Sequence, residues 1–183
     1  MTARLLAAAL LGASLLAAPA APGASQTPDD RLIVPGQRIG KWALNASIQD
    51  LTRTAGPSGV QEAADANRPP LVIYSWAPPG IAALSRDRSK VEFLYLYGGT
   101  DYKTDKAIGR GSTADAARRA YNKPVLTTLG SSQRAMLWDG LGLAFVVTPA
   151  RVSAVLVFRP GTAEDVRLPA LLPAPAPSPE PRP

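Results

Sequence analysis

Residues 107–121, AIGRGSTADAARRAY, carry the grouping in this chain that most invites a chemical reading. Gly109 and Gly111 stand ahead of Ser112 and Thr113, with Arg110, Arg118 and Arg119 close by, as in a loop that cradles phosphate. The spacing argues against a nucleotide. A dinucleotide loop needs a third glycine where Ala114 stands and a buried strand before it, whereas DYKTDKA is polar; a mononucleotide loop needs Gly-Lys before the hydroxyl. What remains is a helix N-terminus that could attract an anion, with Arg110 beside it.

Other candidates give less. The chain has no histidine and no cysteine, which excludes a Ser-His-Asp triad, a Cys-His pair and imidazole ligation of a metal. Asp101 and Asp105 in DYKTD lack the glycine and downstream glutamate of a calcium loop and read as turn residues. Glu62, Asp65, Asp87 and Glu92 show no spacing of a general acid and base pair. Asn45-Ala46-Ser47 matches a glycosylation acceptor, but Ser47 fits better as a helix cap. The expectation is a protein without cofactor or metal that is not an enzyme.

Charge and terminal composition bear on compartment. The formal net charge of the 183 residues is +6, with cations interleaved among acids as in LSRDRSKVE, the pattern of a solvated surface rather than a nucleic-acid site. Residues 1–24 read as a bacterial signal peptide: Arg4, an uncharged Leu/Ala run from Leu5 to Ala18, then small residues allowing cleavage after Ala20 or Ala24. That run is shorter than the roughly 20 residues that span a bilayer, and no cysteine is present to carry a lipid. A periplasmic or secreted protein with no transmembrane segment in the mature chain is expected. Residues 168–183, LPALLPAPAPSPEPRP, hold seven prolines and predict an extended, disordered tail.

Self-comparison of the remainder finds four blocks in the same order. Ser47 and Asp50 of SIQDLTRTAGP fall on Ser112 and Asp115 of STADAARRAYNKP; Trp76 falls on Trp138, GIAAL (80–84) on GLAFV (142–146), and KVEFLYLY (90–97) on RVSAVLVF (151–158). Ser47 and Ser112 suit helix N-caps, each with an aspartate three residues on, and the apolar stripes are Ile48, Leu51 and Ala55, then Ala117, Ala120 and Tyr121. Three strands with hairpin-length connections follow each helix: 71–76, 80–85 and 90–97, then 134–138, 142–147 and 151–158. The predicted class is α+β. Two tandem units of one helix and a three-stranded antiparallel meander, residues 29–98 and 99–167, share one sheet with the helices on one face.

These blocks, SIQDLTRTAGP…YSW…GIAAL…VEFLYL and GSTADAARRAYNKP…MLW…GLAFV…VSAVLV, resemble the repeat shared by the β-lactamase inhibitor protein fold and the SmpA/OmlA type of outer-membrane assembly lipoprotein. The resemblance implies that architecture and a habit of binding proteins through the sheet. It transfers no functional residue, and the chain lacks both the lipid-attachment cysteine of the one and the disulfide cysteines of the other.

Strand alternation suggests where binding would occur. Leu94, Leu96, Val155 and Val157 fit the helix-facing core, which leaves Phe93, Tyr95 and Tyr97 on the other face, with Tyr74 and Trp76 extending it. An aromatic surface of that kind suits a protein partner; the alternative is that a loop, the tail or the second unit buries it. The sequence therefore predicts a non-enzymatic protein-binding module whose partner is an envelope or secreted protein. The alternative function is a periplasmic carrier or sensor of a small apolar or anionic ligand.

Overall fold

The structure, a computed structural model, describes residues 31–63, 70–129 and 133–163. The expected signal peptide (1–24) and proline-rich tail (168–183) lie outside the described residues.

The expected fold class is overturned. Among the described residues the protein is mostly β, with twelve strands in two sheets and two α-helices, not a pair of helix and three-stranded meander units. Eight strands form one antiparallel sheet in the order β4-β5-β6-β7-β12-β11-β10-β9: β4 (Gly59–Ala63), β5 (Leu71–Trp76), β6 (Ile81–Ser85), β7 (Phe93–Leu96), β9 (Val125–Leu129), β10 (Gln133–Trp138), β11 (Leu143–Val147) and β12 (Val152–Phe158). The other four, β1 (Leu32–Val34), β2 (Arg38–Ile39), β3 (Trp42–Ala43) and β8 (Lys103–Thr104), form a small mixed sheet in which β1 runs parallel to β8. Strands of two or three residues in a Gly- and Pro-punctuated segment such as IVPGQRIGKWA show too few alternations to register as strands. GVQEA and VLTTL escaped for a related reason, since neither alternates cleanly between apolar and polar residues.

Both helices are short. α1 (Ile48–Ala55) is capped by Ser47, whose hydroxyl accepts from the Asp50 amide at 3.3 Å. α2 (Ala114–Tyr121) is capped by Thr113, not by the expected Ser112: the Thr113 hydroxyl accepts from the Ala116 amide at 3.1 Å, while Ser112 accepts from Gly109 at 3.1 Å. Helices of eight residues are marginal in isolation, so packing must hold them. Ile48 and Leu51 of α1 and Ala117 and Tyr121 of α2 meet Leu94, Leu96, Val155 and Val157 of the large sheet, and Ile33, Ile39 and Trp42 of the small sheet complete this layer. Each helix is also tied at its C-terminal end by an indole. Trp76 donates Nε1–H to the Gly56 carbonyl at 3.0 Å, and Trp138 donates to that of Asn122 at 2.7 Å, satisfying carbonyls that a helix end leaves open.

The opposite face of the sheet holds a second apolar cluster that includes Ile73, Leu84, Phe93, Tyr95, Leu156 and Phe158. Every residue of β6, β7 and β12 is buried, so the central strands are closed on both faces. Gly142 joins the layers. At φ 63° it ends the Asp139–Leu141 turn in a left-handed conformation, and its carbonyl accepts from Phe158 and Gly36.

Candidate functional site

The five aromatic residues expected to share a surface are divided between the two faces. Cross-strand register places Tyr74 beside Ala83 and Trp76 beside Ile81, on the helix side, where Trp76 is buried and Tyr74 half-buried. Phe93 and Tyr95 belong to the other face and are buried in its cluster; Tyr97 is half-buried against it. The rings of Tyr95 and Tyr97 stack at 6.1 Å. A strand reverses side-chain direction at each residue, so pairing 74 and 76 with 93, 95 and 97 needed the register between β5 and β7, which runs through β6. Burial pushes the Tyr95 phenol up to about 12, against the opposing influence of the Gln133 side chain and Arg110. Despite those neighbours, no described residue closes a hydrogen bond on its hydroxyl. Burial also raises Tyr97.

The glycine-rich loop is not arranged to receive an anion. Arg110 is 4 % exposed, and its Nε–H donates to the Ser153 carbonyl at 2.7 Å beside the register shift at Val146 and Val147. Arg151 reaches back to the Gly111 carbonyl at 3.0 Å, so this loop is a strut between α2 and β12. The acids have local partners too. Asp87 accepts from the amides of Lys90 and Ser89 and from both flanking serine hydroxyls; those bonds, the Lys90 amide foremost, hold its carboxyl well below the usual range. Glu92 pairs with Arg86 at 2.7 Å, Glu62 with Arg88, and Asp101 with Arg31 at 3.8 Å. Asp65 lies outside the described residues. Among the described residues no group of three or more acids is placed to hold a metal, and no helix is long and apolar enough to cross a membrane.

The open part of the sheet is its edge. Among the described residues, β9 pairs with β10 alone, in unbroken register from Val125 opposite Leu137 to Leu129 opposite Gln133. Its outer row of backbone N–H and C=O groups therefore faces away from the sheet. Val125 is 61 % and Leu126 66 % exposed, one on each face of the strand. Within β9 itself VLTTL contains no charge and no proline, and no bulge interrupts its pairing with β10; Lys123 and Pro124 stand just before it. At the far edge β4 carries Glu62, paired with Arg88. Residues 118–138 contain four cations, Arg118, Arg119, Lys123 and Arg134, and no acid. Lys123 adjoins the start of β9, and Arg134, exposed, lies opposite Thr128 near its end. Sequence reading overlooked this edge because exposed apolar residues and strand pairing must be known together to reveal it.

Comparison with protein-family models, with characterised proteins and with solved structures finds no match to this chain.

Proposed function

We propose that this chain is an exported bacterial module that works by binding another envelope or secreted protein rather than by catalysis. The supporting observation is the β9 edge: five residues with an open backbone row, flanked by exposed Val125 and Leu126. An edge of this type accepts an extended segment by strand addition, in which main-chain hydrogen bonds supply affinity and alternate side chains supply selectivity. The resemblance noted in the sequence implies binding through the sheet; because the central strands are buried, this reading assigns that binding to the edge rather than to the aromatic residues.

The test is site-specific photo-crosslinking in cells. A benzophenone amino acid in place of Leu126 is expected to yield a discrete protein adduct, and the same probe at exposed Arg53 on α1 is expected to yield none. Failure to obtain an adduct from position 126, together with a small molecule co-purifying with the protein, would refute this reading in favour of a carrier.

A further inference from the structure

Resting on that reading, we infer that the β9 edge selects an extended segment bearing acidic residues near both ends, with apolar or β-branched residues between them. The cations carry this assignment. Lys123 stands in a bend two residues before β9, and Arg134 sits opposite Thr128 near its other end, so one cation flanks each end of the strand. Arg118 is paired with Asp115 at 3.2 Å, whereas neither Lys123 nor Arg134 forms an ion pair among the described residues. Strand alternation and register put Leu126, Thr128, Arg134 and Met136 on one face of the hairpin, so an incoming side chain beside Leu126 meets an apolar surface and one beside Thr128 meets the guanidinium side. An added strand with a carboxylate at each of these ends would pair with both cations, and a basic strand would be repelled.

A second copy fits the edge poorly. Antiparallel pairing of β9 with its own counterpart about Thr127 would bring two hairpins together, each carrying Lys123 and Arg134 and neither carrying an acid. Pairing β9 with β4 of another molecule would join unlike edges, a contact that propagates rather than closing into a dimer.

The probes are two fluorescein-labelled peptides of about nine residues, long enough to cover β9. One has a Val/Thr centre with glutamates five positions apart; the other has lysines at those positions. Anisotropy titration against the full chain is paired with amide hydrogen exchange over residues 125–129. The glutamate peptide is expected to bind, to slow exchange in β9 and to weaken with added salt. The double variant Lys123→Glu/Arg134→Glu should lose about tenfold in affinity for it, the effect of two rim ion pairs, and gain for the lysine peptide. Amides alternate in direction along β9, so Thr127→Pro and Thr128→Pro are compared. One strikes the β10 ladder and lowers stability; the other is expected to remain folded and abolish peptide binding. Equal binding of both peptides at β9 would overturn the charge assignment while leaving strand capture intact. Binding of neither, with no adduct from position 126, would overturn both. A dimer that forms with rising concentration and is lost in the folded proline variant would identify a second copy as the occupant and also overturn the assignment.

Discussion

The Tyr95 hydroxyl should make the protein sensitive to alkali while contributing nothing to its stability at neutral pH. The side chain is fully buried between Ala82 and Leu156 on the neighbouring strands, and its oxygen has no hydrogen-bond partner among the described residues. An unsatisfied buried hydroxyl costs about 1–3 kcal/mol. Tyr95→Phe removes that cost and leaves the ring in place, so at neutral pH the variant should equal the wild type or exceed it by about 1 kcal/mol. The ionisation behaviour gives an independent reading. In the unfolded chain the phenol titrates near 10, and in the folded protein burial moves this to about 12. Because the folded value is raised, stability is unaffected below pH 10; it falls between pH 10 and 12, as the unfolded state releases a proton that the folded state retains. Two units correspond to about 2–3 kcal/mol. Urea unfolding across that range should show Tyr95→Phe losing about that much less than the wild type, with the alkaline loss due to Tyr97 and Tyr121, also raised by burial, unchanged. If Tyr95→Phe lost more than about 1 kcal/mol at neutral pH and kept the wild-type alkaline slope, the hydroxyl would have to be hydrogen-bonded, with Gln133 as the donor or acceptor, and the reasoning would fail.

Tyr95→Ala should cost about 3–5 kcal/mol in urea unfolding, the range for removing a large buried ring; a loss below about 1 kcal/mol would contradict its place in the core. Trp76→Phe and Trp138→Phe should each lower stability by about 1–3 kcal/mol through the lost helix-end hydrogen bond and the smaller ring. The larger loss is expected at Trp138, whose indole also packs at 5.5 Å from the rings of both Tyr121 and Phe145; equal losses would argue against that cluster. Gly142→Ala should prevent stable folding or cost at least about 3 kcal/mol, since its new Cβ would fall on the Phe158 carbonyl and 2.9 Å from Gly36 at a positive φ. Gly140→Ala, with open space around the added methyl, should stay within about 0.5 kcal/mol of wild type in the same urea unfolding experiment.

Local signals in the sequence identified the elements that have strong periodicity. Leu71–Trp76 is a strand at the expected residues, and Ser47 caps α1 as its spacing with Asp50 suggests. The helix-facing set Leu94, Leu96, Val155 and Val157 follows from alternation along two strands, and these residues pack with Ile48, Leu51, Ala117 and Tyr121. The misses share a cause in pairing. Lys103–Thr104 has no strand pattern of its own and becomes β-structure because Leu32 and Ile33 lie parallel beside it. Tyr74 and Phe93 both alternate correctly within their own strands, yet only the β5–β6–β7 register decides that they face opposite ways. The candidate site follows the same logic. Val125 and Leu126 are ordinary apolar residues in sequence, and they become a surface because β9 ends the sheet, a property of strand order that no single strand encodes. Two consecutive apolar residues in a strand normally demand burial on both faces, as β6, β7 and β12 show. At the β9 edge Leu129 is still buried, but Val125 and Leu126 stay exposed, because among the described residues no strand lies beyond β9.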